Sequence, residues 1–252
     1  MNGTGRPKLL YRYRPFGFPG DERELAVFNE NILYFPKRSQ FNDPLDCTPP
    51  SLLATREELE AFIDGRTEEE FPELTAEQQQ EKALELKQCA PEELYRFARE
   101  LAEHFGILSL ASRSDNSPLW SHYTNVHRGF CLEFDASKEP FTAAHEVRYT
   151  RRRPPFDLSL DSAAYRANAE NFVLTKHIDW QYEGEWRVII PWGGASYPLP
   201  PEALTGVIFG LAISSADRNR VMSSIELGRC RPAIYEAKVN EKKFGFDIER
   251  LS

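Results

Sequence analysis

Two glutamates and an arginine occupy alternate positions in the sequence W-Q-Y-E-G-E-W-R, residues 180–187. If this segment is a β-strand, alternate side chains point to one face, so Glu183, Glu185 and Arg187 lie together. Two carboxylates about 6.5–7 Å apart along a strand repel each other unless a cation or a ligand balances their charge. Arg187 and Lys176 are candidates for that cation. The same alternation is typical of an ordinary strand with one polar, solvated face, so both interpretations stay open.

The composition limits the classes of protein to which the chain could belong. It has 252 residues, 41% of them hydrophobic, which is enough to build the core of one large domain. The formal net charge of −8 argues against a protein whose whole surface binds nucleic acid, because phosphate binding requires clustered Lys and Arg. The polar N-terminus and the lack of a run of about 18 apolar residues predict a soluble, cytoplasmic protein with no membrane partner.

Neither the cysteines nor the histidines have the spacing of a metal site. The cysteines are far apart and form no C-x-x-C pair, which predicts buried free thiols: Cys47, Cys89, Cys131 and Cys230. His122 and His127 are five residues apart, rather than the three or four that place two ligands on one helical face. We therefore predict no metal, and a metal-dependent hydrolase using these histidines with Asp43 and Asp46 is the least favoured function.

The elements that must position the charged residues are short strands and helices in alternation. Period-2 patterns and apolar runs predict strands at residues 9–16, 31–35, 107–111, 130–134, 146–149, 180–190, 204–209 and 234–239. Helix signals predict helices at 21–29, 162–177 and 215–225, and one that starts at Pro118 and ends by Gly129. Residues 55–105, rich in Glu, Gln, Lys, Ala and Leu, predict a helical insertion. The whole chain, residues 1–252, is thus expected to form one α+β domain with a mixed or antiparallel sheet.

Several motifs occur in order along the chain. They are L-Y-R-Y-R at residues 10–14, F-N-D-P-L-D at 41–46, S-P-L-W-S-H-Y at 117–123, H-R-G-F-C-L-E-F at 127–134 and K-H-I-D-W-Q-Y-E-G-E-W-R at 176–187. Together they resemble the bacterial family DUF2971. The name of that family implies no chemistry.

A more distant resemblance is to the ADP-ribosyltransferases, which have three signature positions on a split, mixed sheet. Arg12 or Arg14 takes the position of the early Arg or His. The sequence S-L-A-S at 109–112, together with Tyr123, takes the central position, and Glu183-Gly184-Glu185 takes that of the late E-x-E motif. This resemblance implies an ADP-ribosyltransferase-like fold in which the sheet is split.

The resemblance also implies NAD as substrate and a role for each residue. Glu185 would stabilise the cationic ribose, and Glu183 would orient or deprotonate the acceptor, which would be a protein or a nucleic acid, in a bacterial defence or toxin context. The residues implied in binding the cofactor are Arg12, Arg14, Ser109, Trp120, Tyr123 and Arg187. We expect Arg12 or Arg14 to lie beside the two glutamates, Trp120 or Tyr123 to share a cavity with Glu185, and Glu185 to be partly exposed.

Two structural alternatives and one functional alternative stay open. Arg12 and Arg14 could form purely structural ion pairs, and Trp120 and Tyr123 could be core residues, as aromatic residues three apart on a helix often are. In function, the charged segment could belong to a non-catalytic sensor domain that binds a peptide, a nucleic acid or a small ligand.

Overall fold

The structure is a computed structural model, which describes residues 5–48, 60–61, 63–65, 67–68, 71–87, 103–154 and 170–251. The chain divides into two compact units. The first takes residues 1–36, 106–147 and 181–252, and the second takes residues 37–105 and 148–180. The second unit therefore contains the predicted insertion together with segments before and after it. The prediction of a single domain stays a prediction.

A large mixed sheet forms the centre of the first unit. In the order β12-β11-β10-β4-β1-β3-β8-β5, it contains Phe246–Arg250, Ala233–Val239, Leu204–Phe209, Phe130–Asp135, Leu9–Arg14, Gly106–Ala111, Glu185–Ile190 and His145–Glu146. β10 and β11 are parallel, and the other neighbouring pairs are antiparallel. A separate antiparallel pair joins β2, Ile32–Phe35, to β9, Ala195–Pro198. Helices accompany this mixed sheet, which confirms the α+β class.

The two faces of the large sheet have different cores. The phenylalanine face carries Leu10, Leu108, Leu110, Phe130, Leu132, Phe134, Val188, Val207 and Phe209, and the helix Ser215–Leu227 packs Val221 and Ile225 into the same cluster. The tyrosine face carries Tyr11, Tyr13, Ala111, Cys131, Ile208 and Ala237, and the helix Ser117–Tyr123 packs Leu119 and Trp120 there. Each face therefore has its own covering helix.

The helix Ser117–Tyr123 begins close to its predicted start. Pro118 lies in its first turn, where the missing N–H costs no hydrogen bond. The capping residue is Asn116, whose side-chain oxygen accepts a hydrogen bond from the Leu119 N–H at 3.4 Å. Gly129 follows the turn after the helix, where a Cβ atom would lie 2.0 Å from the carbonyl oxygen of Arg14. Only glycine allows this close approach to β1.

Further short helices complete the first unit. A 3-10 helix at Asp21–Leu25 continues into the α-helix Ala26–Asn29, where the sequence predicts one helix. Other 3-10 helices lie at Phe141–Ala143 and Pro201–Ala203.

In the second unit, β6, Arg148–Thr150, pairs in parallel with β7, Thr175–His177. A 3-10 helix lies at Arg38–Gln40, and residues 76–87 of the predicted insertion are helical. The prediction of a helix through residue 177 is wrong at its end, because helical structure stops at Val173 and Lys176 lies on β7. Residues 162–169 of the predicted helix and residues 88–102 of the predicted insertion lie outside the described part of the chain.

The segment W-Q-Y-E-G-E-W-R is not one strand. Ile178–Glu183 forms a 3-10 helix, and β8 begins only at Glu185. Gly184, between them, has a φ of +53°, a left-handed conformation that no β-strand uses, and a Cβ there would lie 2.7 Å from the Ser112 Oγ. The predicted strand is therefore wrong over residues 180–184, and Glu183 precedes the strand that carries Glu185.

Candidate functional site

The three strands that carry Arg12, Ser109 and Glu185 are neighbours in the sheet. β3 lies between β1 and β8. Its residue Ala111 is paired with Tyr11 on β1 and with Glu185 on β8, and its residue Ser109 is paired with Arg187 on β8. Directly paired residues point to the same face of a sheet. Ser109, Glu185 and Arg187 therefore lie on the tyrosine face together with Tyr11.

Glu185 and Arg187 form a buried, two-fold hydrogen-bonded ion pair. The Arg187 Nε donates to Glu185 Oε1 at 2.7 Å, and its Nη2 donates to Oε2 at 2.9 Å. Glu185 is 4% exposed and Arg187 is fully buried. The planar guanidinium fork matches the carboxylate, so each charge compensates the other. Arg187, one of the two candidate cations in the sequence, thus balances the charge of Glu185. The expectation of a partly exposed Glu185 is wrong.

Glu183 meets Tyr123 on the same side of the sheet. The Tyr123 hydroxyl donates to Glu183 Oε1 at 2.8 Å, and Glu183 is buried. The segment that carries Glu183 is held by Asn116, whose side-chain amide donates to the Tyr182 carbonyl at 2.5 Å. One residue therefore caps the helix that carries Tyr123 and also fixes the 3-10 helix that carries Glu183.

Trp120 is a core residue. Its ring is fully buried, lies edge-on to Tyr13 at a centroid distance of 5.2 Å, and stacks on His127 at 6.3 Å. Its indole N–H donates to the Ser114 carbonyl at 2.8 Å. The ring thus takes the packing role that the sequence left open. It is not placed to stack on a ligand, whereas Tyr123 is only partly buried.

A further carboxylate on the tyrosine face was missed by the sequence analysis. Glu133 pairs with Tyr11 across β1 and β4, and its Oε1 accepts a hydrogen bond from Thr205 Oγ1 at 2.9 Å. Burial and then the Glu133 carboxylate raise the pKa of Tyr11 to about 12, so this phenol stays protonated at neutral pH. The only signal in the sequence was a single charged residue in the otherwise apolar strand F-C-L-E-F.

Arg12 and Arg14 lie on the phenylalanine face, away from both glutamates. Tyr11 shares the face of Glu185, and successive residues of a strand alternate, so Arg12 and Arg14 point the opposite way. Arg14 instead forms an ion pair with Glu24. The expectation that one of these arginines balances Glu183 or Glu185 is therefore wrong. The registers of the β1–β3 and β3–β8 pairs place the two arginines on the face opposite Glu185.

In the second unit, two distant sequence motifs meet. Lys176 Nζ lies 3.5 Å from Asp46 Oδ2 and 4.9 Å from the centre of the Trp180 ring. The Cys47 thiol contacts Asp46 Oδ1 at 3.3 Å. Asp46, Cys47 and Lys176 are all buried. This arrangement is a structural ion pair with a cation–π contact.

The described residues include neither a metal-binding cluster nor a membrane-spanning helix. There, no group of three or more His, Cys, Asp and Glu side chains is arranged to hold a metal ion. None of the helices in the same residues is both long and apolar enough to cross a bilayer. Cys47, Cys131 and Cys230 are buried free thiols, as predicted, and Cys89 lies outside the described residues.

Comparison with known proteins finds a match to one family model. No curated protein and no solved structure matches the chain. The model of the family described as "Protein of unknown function (DUF2971)" matches residues 119–188. The matched stretch contains Tyr123, Glu183 and Glu185, as well as Arg187. Over residues 119–188, it confirms the resemblance to the DUF2971 family that the sequence motifs indicate.

Proposed function

We propose that the tyrosine face binds a nucleotide and that the protein cleaves NAD, transferring ADP-ribose to a protein or nucleic-acid acceptor or hydrolysing it with water. The observation that carries this proposal is the hydrogen bond of 2.8 Å between the Tyr123 hydroxyl and Glu183 Oε1. It joins an aromatic ring and a carboxylate, the two groups that a nicotinamide riboside needs on its reacting side.

The chemistry assigns roles to this pair. As the bond between the ribose and nicotinamide breaks, nicotinamide leaves as a neutral molecule and positive charge develops on the ribose. A carboxylate beside the ribose stabilises that charge more in the transition state than in the ground state. Glu183 would supply it and would also accept the proton of the attacking hydroxyl or water, while Tyr123 orients the carboxylate.

Glu185 takes a different role from the one that the sequence implied. Both of its oxygens accept hydrogen bonds from Arg187, and both side chains are buried. A carboxylate whose charge is already compensated stabilises a developing cation less well. We therefore assign Glu183 as the catalytic carboxylate and Glu185 as a positioning residue. Arg187 is the one arginine of the predicted cofactor-binding set that lies on this face.

A second candidate function is favoured by the same ion pair. A buried, compensated pair is a typical structural element, and Trp120 is core rather than a platform for a ring. A non-catalytic sensor domain that binds a nucleotide without turning it over would use the same face. It predicts binding of NAD with no release of nicotinamide.

Release of nicotinamide from NAD tests the proposal. We expect the wild-type protein to release nicotinamide, and Glu183→Gln to abolish turnover while it remains folded, because the amide keeps the shape but loses the charge. The matched control is Glu146→Gln, at an exposed glutamate on the neighbouring strand β5, which should retain wild-type turnover. Full activity of folded Glu183→Gln would contradict the assignment. NAD binding by calorimetry without turnover would favour the sensor domain, and no binding would reject both functions.

A further inference from the structure

Arg12 is a buried arginine with an incomplete set of partners. It is 9% exposed, and its Nη2 makes one long contact, 3.5 Å, to the Tyr34 carbonyl. Its Nη1 is buried and has no hydrogen-bond partner in the described part of the chain. A guanidinium has five N–H donors and cannot lose its charge in a protein at neutral pH, so these donors need an acceptor.

The nearby carboxylate is already occupied. Both Arg14 and Arg23 form ion pairs with Glu24, through Oε2 and Oε1 respectively. Arg14 and Arg23 thus share one carboxylate, and no ion pair joins Arg12 to Glu24 in the described part of the chain. Both carboxylate oxygens of Glu24 are therefore occupied by other arginines, and Glu24 compensates the charge of Arg12 only weakly.

Such a group is stable in the folded protein only at a cost. Burial, together with the charge of Arg14, shifts the pKa of Arg12 well below its usual range, which indicates that the folded chain disfavours the charged form. A bound anion removes this cost. A phosphate group suits this site, because its negative charge would compensate Arg12 and its oxygens match the arginine fork.

We propose that Arg12 and Arg14 form a binding site for a phosphate group on the phenylalanine face of the first unit. The Arg14 side chain is 27% exposed, so the pair of arginines reaches solvent at its end. This site does not depend on the proposed cleavage of NAD, because it lies on the face opposite Tyr123 and Glu183. The site would bind the phosphate group itself, which free phosphate and a phosphate monoester both carry.

Thermal unfolding with inorganic phosphate or AMP tests the site, with sodium chloride at equal ionic strength as reference. Phosphate or AMP should raise the Tm of the wild-type protein by several degrees when its concentration far exceeds Kd. Arg12→Met should lose this rise. Without phosphate, Arg12→Met should unfold at the same Tm or a higher one, because a buried, uncompensated charge has been removed. A merely structural arginine would instead lower the Tm when replaced.

The control is Arg113→Met, at an arginine whose side chain is 70% exposed and paired with Asp115, which should keep the full response to phosphate. If Arg12→Met does not fold, Arg12→Lys serves, since it keeps the charge but loses the fork. It should bind phosphate on the order of tenfold more weakly by calorimetry. No rise of the wild-type Tm beyond that with chloride would overturn the proposal, as would an undiminished rise in a folded Arg12 variant.

Discussion

The two faces of one sheet each bury an arginine, and they treat its charge differently. Arg187 on the tyrosine face holds Glu185 through two hydrogen bonds of 2.7 and 2.9 Å. Arg12 on the phenylalanine face has one contact of 3.5 Å and an unpartnered Nη1 among the described residues. The strands that carry them, β8 and β1, are separated only by β3.

This difference shows that burial alone does not define the role of a charged residue. A compensated pair acts as part of the scaffold, and removal of one member leaves the other buried and uncompensated. An uncompensated charge gains from a ligand and loses little when it is replaced by an apolar side chain. A buried arginine therefore stabilises the fold on the tyrosine face, whereas on the phenylalanine face it is a candidate for binding an anion.

The largest effect is expected from Glu185→Gln. The amide keeps the shape of the side chain but removes the carboxylate charge that accepts two hydrogen bonds from the buried Arg187, so the free energy of unfolding should fall by about 3–5 kcal/mol. Urea unfolding measures this change. The control Glu146→Gln, at an exposed position, should stay within about 0.5 kcal/mol of the wild type. A loss of similar size in both variants would mean that the Glu185–Arg187 pair is not a structural element.

A smaller effect is expected from Tyr123→Phe, which removes only the hydroxyl that donates to Glu183. The net loss of one such hydrogen bond should lower the free energy of unfolding by about 0.5–1.5 kcal/mol. Under the proposed cleavage of NAD, turnover should fall by a much larger factor than the change in stability explains. If stability changed and turnover did not, Tyr123 would be a structural partner of Glu183 alone.

The smallest effect concerns pH. Burial lowers the pKa of His127 below its usual value, so the unfolded chain takes up this proton at a higher pH than the folded chain does. The contribution of neutral His127 is complete above about pH 6.5 and is lost as the pH falls toward the folded-state pKa. His127→Gln should therefore reduce the loss of stability between pH 7.5 and pH 5.5, as measured by urea unfolding. An unchanged pH dependence would show that other groups cause it.

Local sequence patterns predicted much of the sheet. The strand at Leu204–Phe209 has its predicted bounds, and β1, β2, β3, β4 and β11 differ from prediction by two residues or fewer at each end. Apolar runs and prolines mark these strands because burial and backbone geometry act over a few residues. By contrast, β9 and β12 were not predicted. β9 is only four residues long and largely exposed, and in β12 the alternation of Phe246 and Ile248 with charged residues covers only five residues.

The site itself depended on long-range information. Gly184 looked compatible with a strand, but its left-handed backbone places Glu183 outside β8. The faces of Arg12 and Glu185 follow from the registers of two strand pairs, and a shift of one residue in either would exchange them. The sequence contains these residues but not the registers. The residue types showed which side chains could bind or react, but not which of them lie together on one face of the sheet.

Urea unfolding of Arg12→Met and Arg187→Met, side by side in buffer without phosphate, tests the contrast between the two faces most directly. Arg187→Met should lose several kcal/mol of unfolding free energy, because it removes the guanidinium that donates two hydrogen bonds to the buried Glu185 carboxylate. Arg12→Met should equal or exceed the wild type. A large loss of stability in Arg12→Met, comparable to that of Arg187→Met, would contradict the account.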